Sequence, residues 1–497
     1  MNTATQTADG AQMVNGALAA FQARERDDAA YLLAKAVQAD PPLGPRWASV
    51  SRLAATIGEI TLALTAARRH VAATRTVEAR LAYAQLLIQS GRTEDALREG
   101  AALARERPND PAALHFLATC QVQLGDHDAA VANLRRIIAL PTVHLGAENA
   151  WHVLADIKKF TPDDPDIGQM EAMLARIGTS EAARESRIVM LYALGKALDD
   201  AGQTDRAFAC FDEAAKLQKI ASTFNVGQAD AFVDAVVSGW DRAFMDSLPK
   251  STVDSDRPIF VLGLPRSGTT LVEQILVSHS QVVDGAEANL FRPAAMAING
   301  YTPDEVRASL ARSDAATLPT RIAKAYLHLV DERFGKTGRV VDKTLNQTRY
   351  LGLIHQVLPK AKLIWLRRDP AGIAWSCYRT RFAKGVDWTR SLTDIAAYFK
   401  GEDRLHAHWS ALLGDSLLTV PYEALVDDPD TWMRRIIDHV GLEWEDGVRD
   451  FHKTERAVTT ASFAQVRKPM YASSKEAWKR YETQLKPFFD AYGRSPG

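Results

Sequence analysis

The sequence has few cysteines and almost no net charge. Its 497 residues include three cysteines, Cys120, Cys210 and Cys377, which lie far apart and lack the spacing of metal ligands. Neither a disulfide framework nor a zinc site is indicated, and a reducing compartment is favoured. The formal net charge of -1 argues against binding to nucleic acid or membrane surfaces through bulk electrostatics, although a local basic site is compatible with that average.

Long apolar segments are also missing. Residues 1–22 have neither a cationic start nor a continuous apolar run, so no secretion signal is indicated. No other stretch is apolar over the length that a membrane span requires. With 46% apolar and 24% charged residues, the composition is that of a soluble globular protein with two or three domains. Together these features predict a cytoplasmic protein.

The first half of the chain contains an internal repeat. A glycine followed five positions later by an alanine recurs, and the first three glycines lie 33 and 34 residues apart. The pairs are Gly58 and Ala63, Gly91 and Ala96, Gly125 and Ala130, then Gly202 and Ala207, with Arg24 and Ala29 one period earlier. Glycine permits the left-handed conformation that ends one helix, and alanine lets the next helix approach closely. The pattern predicts helix-turn-helix units; an irregular helical bundle is the alternative.

The second half has a different pattern, in which short β-rich runs alternate with long helical segments. The runs are RPIFVLGL (257–264), GRVVDK (338–343), AKLIWLRRD (361–369) and SLLTVPYEAL (416–425). Strands that alternate with helices predict a parallel sheet covered on both faces. We place the domain boundary near Asp256. The predicted division is a helical repeat domain at 14–220, whose last unit caps it against the next domain, a connecting helix and linker at 221–256, and an α/β domain at 257–497.

The first β-rich run leads into a loop that is suited to anions. The loop reads PRSGTT (265–270), and an apolar helix, LVEQILVSH, follows it. Backbone N–H groups converge at such a turn, and the helix dipole favours negative charge. A Walker loop would carry a lysine, which this loop lacks, and no Walker-type acidic metal ligand is evident downstream. The loop predicts an anion site that works without metal; by itself it fits a simple strand-to-helix turn equally well.

Four segments occur in an order that is typical of one protein family. They are RPIFVLGLPRSGTTLVEQIL, LPKAKLIWLRRDPAGIAWS, VPYEALVDDP and TTASFAQVRKPMYASSKEAWKRYE. They resemble the phosphosulfate loop, the second signature, the adenine-side segment and the closing loop of sulfotransferases that use PAPS (3'-phosphoadenosine 5'-phosphosulfate). The most similar branch is that of the tyrosylprotein sulfotransferases. The helical units resemble tetratricopeptide repeats, and the whole chain resembles bacterial tetratricopeptide-repeat sulfotransferases. The resemblance implies a helical solenoid followed by a P-loop-like, three-layer α/β domain with a parallel sheet.

The resemblance implies a donor site for PAPS without a metal. The loop would hold the 5'-phosphate and the sulfuryl oxygens through its backbone N–H groups and side chains. Its residues are Arg266, Ser267, Gly268, Thr269 and Thr270.

Further nucleotide contacts are implied downstream. Arg368 and Ser376, eight residues apart, would hold the 3'-phosphate, and the forked arginine contact would select PAPS over ATP. Without the family spacing, they fit a strand-end arginine and a helix N-terminal serine. The resemblance implies that Tyr422 lies beside the adenine of the nucleotide. Lys475 is displaced from the family's basic position before Trp478, and we expect it at the 3'-phosphate.

The resemblance also implies a reaction centre. Glu287 lies 21 residues after Arg266, where the related enzymes place the base that accepts the proton of the acceptor hydroxyl. Lys343, at the end of a predicted strand, and Ser462, in the closing loop, would stabilise the charge that grows on the leaving phosphate. Asp342 and Asn346 are expected to orient the turn at Lys343.

One departure from the related enzymes concerns the acceptor. Those enzymes carry an arginine two residues after the base, where this chain has Asn289, and Arg292 lies one helical turn away. A preference for acidic tyrosine peptides is therefore not implied. The small-molecule sulfotransferases use a histidine base, but His279, His355 and His452 do not occur at the expected position.

The sequence therefore predicts transfer of a sulfuryl group from PAPS to a hydroxyl of a protein, peptide or glycan, with release of PAP. The repeats would form a concave acceptor surface, dock a partner or self-associate. A non-catalytic nucleotide-binding scaffold is an alternative, which the joint presence of Glu287, Lys343 and Ser462 opposes. A P-loop kinase is another, which the missing Walker lysine opposes. Neither the acceptor nor the oligomeric state follows from the sequence.

Overall fold

The N-terminal half of the chain is a succession of helices in which each packs on the next. The computed structural model describes residues 3–140, 146–311, 315–382, 385–453 and 476–494. The described helices of this half are α1 (Thr3–Gln22), α2 (Arg26–Ala39), α3 (Trp47–Thr56), α4 (Ile60–Thr74), α5 (Val77–Gln89), α6 (Thr93–Glu106), α7 (Pro111–Leu124), α8 (His127–Ile138), α9 (Ala147–Ile157), α10 (Pro165–Ile177), α11 (Arg184–Asp200) and α12 (Thr204–Lys219).

The predicted helix-turn-helix units are confirmed. The turn glycines Gly58, Gly91, Gly125 and Gly202 have φ angles of 90°, 79°, 85° and 76°. Arg24 has the same left-handed conformation, with φ of 63°, so it occupies the turn of the first unit although it is not glycine. The five alanines that follow these turns are all fully buried, namely Ala29, Ala63, Ala96, Ala130 and Ala207. Local backbone chemistry thus explains the period.

The C-terminal half alternates strands with helices. Two helices, α13 (Val226–Gly239) and α14 (Arg242–Ser247), connect it to the repeats. The elements that follow are β1 (Pro258–Leu262), α15 (Thr269–Val277), β2 (Val282–Asp284), α16 (Phe291–Ala294), α17 (Pro303–Leu310), α18 (Leu318–Phe334), β3 (Arg339–Asp342), α19 (Leu351–Val357), β4 (Lys362–Arg367), α20 (Pro370–Tyr378), α21 (Leu392–Leu413), β5 (Leu417–Pro421), α22 (Tyr422–Asp427), α23 (Pro429–His439) and α24 (Lys486–Tyr492).

The strands form one parallel sheet in the order β2-β3-β1-β4-β5. In the register of the central pairs, Phe260 lies opposite Asp342 on β3 and Leu363 on β4. The sheet confirms the predicted parallel arrangement and the four predicted strands. The short strand β2 was not predicted. Because the carboxyl ends of parallel strands meet at one edge, the segments after β1, β2, β3 and β4 come together there.

Both faces of the sheet are covered. Phe260 and Leu262 of β1 pack on one side, in a cluster with side chains of α13, α18, α19 and α21. Ile259 and Val261 pack on the other side, with α15, α22 and α23. Alternate residues of the same strand therefore enter two separate cores, which makes the three-layer architecture.

The repeats contact the α/β half near their beginning. The carboxylate of Glu332, on α18, accepts hydrogen bonds from the backbone N–H groups of Ile60 (3.1 Å) and Thr61 (2.9 Å) at the start of α4. Gly58 lies so close to α18 that a Cβ atom there would be 2.7 Å from Leu329 Cδ1. This contact is built from the turn of one repeat and one face of one helix.

The last repeat contacts the α/β half a second time. The Phe208 ring on α12 stacks on Trp375 of α20 at a centroid distance of 6.2 Å, and the Tyr378 hydroxyl donates to Asp212 Oδ1 at 2.8 Å. Buried Asp199 accepts hydrogen bonds from Arg379 (2.8 Å) and from side chains of the C-terminal segment. The last repeat thus packs against the α/β half. Within the described part of the chain, no helix is long and apolar enough to cross a membrane.

Candidate functional site

The loop after β1 has the geometry of an anion-binding turn. Gly263, Arg266 and Gly268 have φ angles of 142°, 69° and 106°, so the chain reverses through left-handed positions before α15 begins. The Ser267 side chain is fully buried, and its hydroxyl donates to the Leu264 carbonyl at 2.7 Å, which closes the turn internally. Thr269 opens the helix. The first N–H groups of a helix lack intrahelical partners and favour an anion.

Gly268 allows Tyr422 to pack directly against the loop. A Cβ atom at Gly268 would lie 2.5 Å from Tyr422 Cδ2, so a larger residue would clash with the ring. The Arg368 guanidinium lies on the same ring, 4.5 Å from its centroid. The structure therefore brings together three predicted nucleotide contacts from the ends of β1, β4 and β5.

Arg266 extends away from its loop towards Ser376. Its Nε donates to Ser376 Oγ at 2.9 Å, and Arg368 Nη1 donates to the Arg266 carbonyl at 3.1 Å. Burial, together with the nearby charges of Arg379 and Arg368, lowers the pKa of Arg266 to about 10. Like charges held together in a buried position favour an anion between them.

Local chemistry places Ser376 beside this cluster. Asp369 caps α20, because its side chain accepts a hydrogen bond from the Gly372 N–H at 3.1 Å, and Pro370 occupies the first helical position. Arg368 therefore ends at the sheet edge, and Ser376 lies on the helix that starts there.

Glu287 and Lys343 meet at the neighbouring strand ends. Lys343 Nζ donates to Glu287 Oε1 at 2.9 Å; the lysine side chain is 2% exposed and the glutamate side chain 44%. Burial alone would lower the pKa of Lys343, but the charges of Glu273 and Glu287 raise it above its usual value. The lysine therefore stays charged at neutral pH.

The loops that carry these two residues are joined by their backbones. The Lys343 N–H donates to the Ala286 carbonyl at 2.9 Å, and the Asn289 N–H donates to Thr344 Oγ1 at 2.9 Å. Gly285 is required between them, because a Cβ atom there would lie 2.1 Å from the Val341 carbonyl oxygen.

Asp342 organises the turn at Lys343, as expected. Its Oδ1 accepts hydrogen bonds from Thr344 Oγ1 and Gln347 Nε2, both at 2.7 Å. Asn346 does not orient this turn, and that prediction was wrong: its side chain bonds to the Gly385 carbonyl and the Tyr398 hydroxyl. The backbone of Asn346 is left-handed, with φ of 67°.

Glu273 belongs to this site and was not predicted. It lies on α15, one turn after the loop at residues 265–270, and its Oε2 is 3.8 Å from Lys343 Nζ. Its Oε1 is buried and has no hydrogen-bond partner among the described residues. Burial raises the pKa of Glu273 to about 8, against the effect of Lys343, and Asp284 raises it further. A glutamate within the apolar run LVEQILV was the signal in the sequence.

Several predicted residues are placed elsewhere or are not described. Ser462 and Lys475 lie outside the described residues, as does the side chain of His452. His279 is buried, and its Nε2 lies 2.8 Å from the Glu443 carbonyl oxygen. Burial lowers the pKa of His355. One possible metal-ligand group in the described part, Glu59 with His328 and Glu332, lies at the contact of the repeats with α18.

Comparison with known proteins agrees with this arrangement. Residues 258–446 match the model of the sulfotransferase family. This region is a sulfotransferase-family domain. Residues 87–140 and 188–220 match tetratricopeptide-repeat models, so the predicted combination of repeats and sulfotransferase domain is confirmed.

Curated relatives of this chain occur in bacteria and animals. An uncharacterized protein of Aquifex aeolicus is 31% identical over 67% of this chain and 45% of its own length. A protein-tyrosine sulfotransferase of Drosophila melanogaster is 24% identical over 38% of this chain and 39% of its own length. Protein-tyrosine sulfotransferase 1 of Danio rerio is 27% identical over 39% of this chain and 56% of its own length. The chain thus spans about half the length of these curated relatives.

Two sulfotransferase domains are among the solved structures that resemble part of this chain. That of the Synechococcus PCC 7002 olefin synthase has a TM-score of 0.35 and 20% identity, and covers 50% of this chain and 100% of its own. The domain from the curacin biosynthetic pathway has a TM-score of 0.32 and 15% identity. The match covers 48% of this chain and 98% of that domain.

Proposed function

We propose that the chain is a PAPS-dependent sulfotransferase that transfers a sulfuryl group to an acceptor hydroxyl and releases PAP. The observation that carries this proposal is the contact of Lys343 Nζ with Glu287 Oε1 (2.9 Å) at the sheet edge that also holds the phosphate loop. A carboxylate after β2, a cation after β3 and an anion-binding turn after β1 supply the groups that sulfuryl transfer needs.

The donor-side residues fit a nucleotide with phosphates at two places. The N-terminus of α15 would bind the 5'-phosphate and the sulfuryl oxygens through Thr269 and Thr270. Arg368 and Ser376 would bind the 3'-phosphate through a guanidinium group and a hydroxyl, and Arg266 of the loop is hydrogen-bonded to both residues. When bound, PAPS supplies an activated sulfuryl group with a phosphate as its leaving group.

On the acceptor side, we assign proton removal to Glu287. In the present arrangement its carboxylate is paired with Lys343. Each of the two groups would exchange this partner for a substrate atom. Lys343 would move its hydrogen bond to the leaving phosphate oxygen, which frees Glu287 to accept the hydroxyl proton. Roles for Ser462 and Lys475 rest on the sequence resemblance, and the expected site contains no metal.

The repeats are well placed to contribute to acceptor binding. Glu287 lines a cavity of about 580 Å³ that separates the loop at residues 284–288 from α5, α6 and α7. Gln89 and Thr93 line the repeat side, and Arg333 lines the domain side. Tetratricopeptide repeats commonly bind other proteins. We therefore propose that a protein, peptide or glycan acceptor reaches Glu287 between the repeats and the sulfotransferase domain.

We propose the cytoplasm as the compartment, because all three cysteines are unpaired.

The test combines nucleotide binding with transfer. Calorimetry should show PAP binding without magnesium and no ATP binding, and labelled sulfate from PAPS should appear on components of a cell extract. Glu287→Gln should bind PAP as the wild type does but transfer sulfate at least ~100-fold more slowly. The matched control is Glu482→Gln, which changes an exposed glutamate and should leave transfer unaltered.

Each contrary result has a distinct meaning. Magnesium-dependent ATP binding without PAP binding would reject the donor. PAP binding without any transfer would favour the nucleotide-binding scaffold. Normal transfer by the Glu287→Gln variant would remove Glu287 as the base.

A further inference from the structure

A second cavity lies at the junction of the connecting segment and the sulfotransferase domain. Its volume is about 600 Å³. Residues 223–232, which include the start of α13, form one wall. The opposite wall contains Arg292, five residues after Glu287, and Asn346, three residues after Lys343. The cavity is therefore lined by residues of the two chain segments that follow Glu287 and Lys343.

The walls of this cavity are rich in aromatic rings. The rings are those of Phe224, Phe232, Tyr301, Tyr350, Trp388 and Tyr398. Trp388 stacks face to face on Tyr398, with 4.4 Å between the ring centroids, and Tyr301 contacts Tyr350 in a tilted arrangement at 4.7 Å. Rings held by such contacts offer rigid apolar faces, which suit a ring-shaped ligand.

Two buried polar groups of the cavity wall have no partner. Tyr350 is 3% exposed and Trp388 is 2% exposed, yet Tyr350 Oη and Trp388 Nε1 lack hydrogen-bond partners among the described residues. An unsatisfied buried polar group is costly, and the indole N–H can only donate. A ligand that offers acceptor atoms would satisfy both groups.

The charged groups of the cavity favour an anion. Arg292 and Arg349 line it, and Asp387 is the one carboxylate among the lining residues that the structure describes. Asp387 already forms an ion pair with Arg390 at 2.8 Å. Arg349 donates to the Tyr398 hydroxyl through Nε, and the carboxylate of Glu402 is 4.0 Å away. Burial raises the pKa of Glu402, which weakens it as a counter-charge.

We propose that this cavity binds the non-reacting part of the acceptor, and that the acceptor carries a carboxylate on a hydroxylated ring. The ring would lie between the aromatic walls. Its carboxylate would accept hydrogen bonds from Tyr350, Trp388 and the arginines, all of which are donors. The acceptor assignment rests on the proposed transferase function; the chemistry of the cavity does not.

The experiment compares carboxylate probes with their uncharged amides. Binding of 4-hydroxyphenylacetate and glucuronate to the full chain, with and without PAP, would be measured against 4-hydroxyphenylacetamide and glucuronamide. The aryl and sugar pairs distinguish the two sources of such a ring. At least one carboxylate should bind about tenfold or more tightly than its amide. Equal affinities in both pairs would overturn the proposal.

A single-atom variant separates binding from folding. Tyr350→Phe deletes only the unpartnered hydroxyl, so we expect roughly tenfold weaker probe binding with an unchanged or higher Tm. Tyr492→Phe is the matched control: its hydroxyl contacts Asp403 outside the cavity, so Tm should fall and probe affinity should persist. Unchanged probe affinity in the Tyr350→Phe variant would overturn the proposal.

Failure of the cavity and failure of the transferase are distinguishable. Probe binding without sulfate transfer to extract would support the anionic-ring site and reject its role in catalysis. Transfer to extract without probe binding would support the transferase and reject the cavity as its acceptor site.

Discussion

Arg266 Nε donates a 2.9 Å hydrogen bond to Ser376 Oγ, and this contact joins the loop at residues 265–270 to α20. Arg368 Nη1 adds a second link by donating to the Arg266 carbonyl at 3.1 Å. The residues expected at the 5'-phosphate and those expected at the 3'-phosphate are thus parts of one hydrogen-bonded unit. A substitution of one of these residues should therefore alter the position of the others.

Arg368→Gln tests the proposed selection of a 3'-phosphate. Loss of a charge-assisted hydrogen bond costs about 1.5–3 kcal/mol, so affinity for PAP should fall roughly 10- to 100-fold. Affinity for adenosine 5'-phosphosulfate, which lacks the 3'-phosphate, should change little. Calorimetry with both nucleotides measures the difference. Arg449→Gln, which alters an exposed arginine paired with Asp430, should affect neither. Equal losses for the two nucleotides would mean that Arg368 mainly shapes the loop.

Gly268→Ala tests the close packing of the loop on Tyr422. Besides the unfavourable φ of 106°, the added Cβ would lie 2.5 Å from Tyr422 Cδ2, so the ring must move. PAP affinity and stability should both fall. Gly91→Ala is the control, because its φ is 79° but nothing lies within 4 Å of a Cβ there. It should lose only about 1–2 kcal/mol in urea unfolding and retain PAP binding. Similar stability losses and normal PAP binding in both variants would contradict the packing argument.

Glu273→Gln tests the buried carboxyl beside Lys343. The pKa of Glu273 is raised from 4.5 to about 8 in the folded protein, so folding favours its protonated form. Its contribution to stability is full below pH 4.5 and is lost as the pH rises towards 8. Glutamine resembles the protonated form at every pH. The variant should therefore gain stability relative to wild type between pH 5 and 8, by at most roughly 1.4 kcal/mol per pH unit.

Urea unfolding at several pH values between 5 and 8 measures this relative stability. Glu482→Gln, at an exposed position, should show no such pH trend. A constant difference between Glu273→Gln and wild type over the whole range would show that Glu273 is ionised throughout.

Asp199→Ala tests the contact that holds the last repeat on the sulfotransferase domain. The carboxylate of Asp199 is buried and accepts hydrogen bonds from Arg379 at 2.8 Å and Arg480 at 2.5 Å. Its removal leaves two partly exposed guanidinium groups without their partner, so we expect a loss of about 2 kcal/mol. Thermal unfolding should show a lower Tm. Asp304→Ala, at an exposed ion pair with Arg307, should leave Tm within a degree or so of wild type. An unchanged Tm in Asp199→Ala would contradict the predicted role.

Features with short-range causes could be predicted from the sequence. The repeat period follows from left-handed glycines and small alanines, both of which act within one turn. Strands β1, β3, β4 and β5 were predicted because each is a continuous apolar or β-rich run. Strand β2 was missed because Val282–Asp284 has only three residues, too few for a pattern. The roles of the individual site residues stay predictions.

The sequence by itself determined the repeat units, most of the sheet, the anion-binding loop and the resemblance to sulfotransferases. The tertiary structure alone decided that Arg266 turns towards Ser376, that Glu273 lies beside Lys343 and that the repeats contact the domain at two places. It also decided that α13 lines an aromatic cavity with residues from the segments that follow Glu287 and Lys343. The physical reason is that such contacts depend on how distant segments approach one another. Local backbone preference limits the conformation of a turn, whereas the packing of the whole chain decides which distant segments the turn contacts.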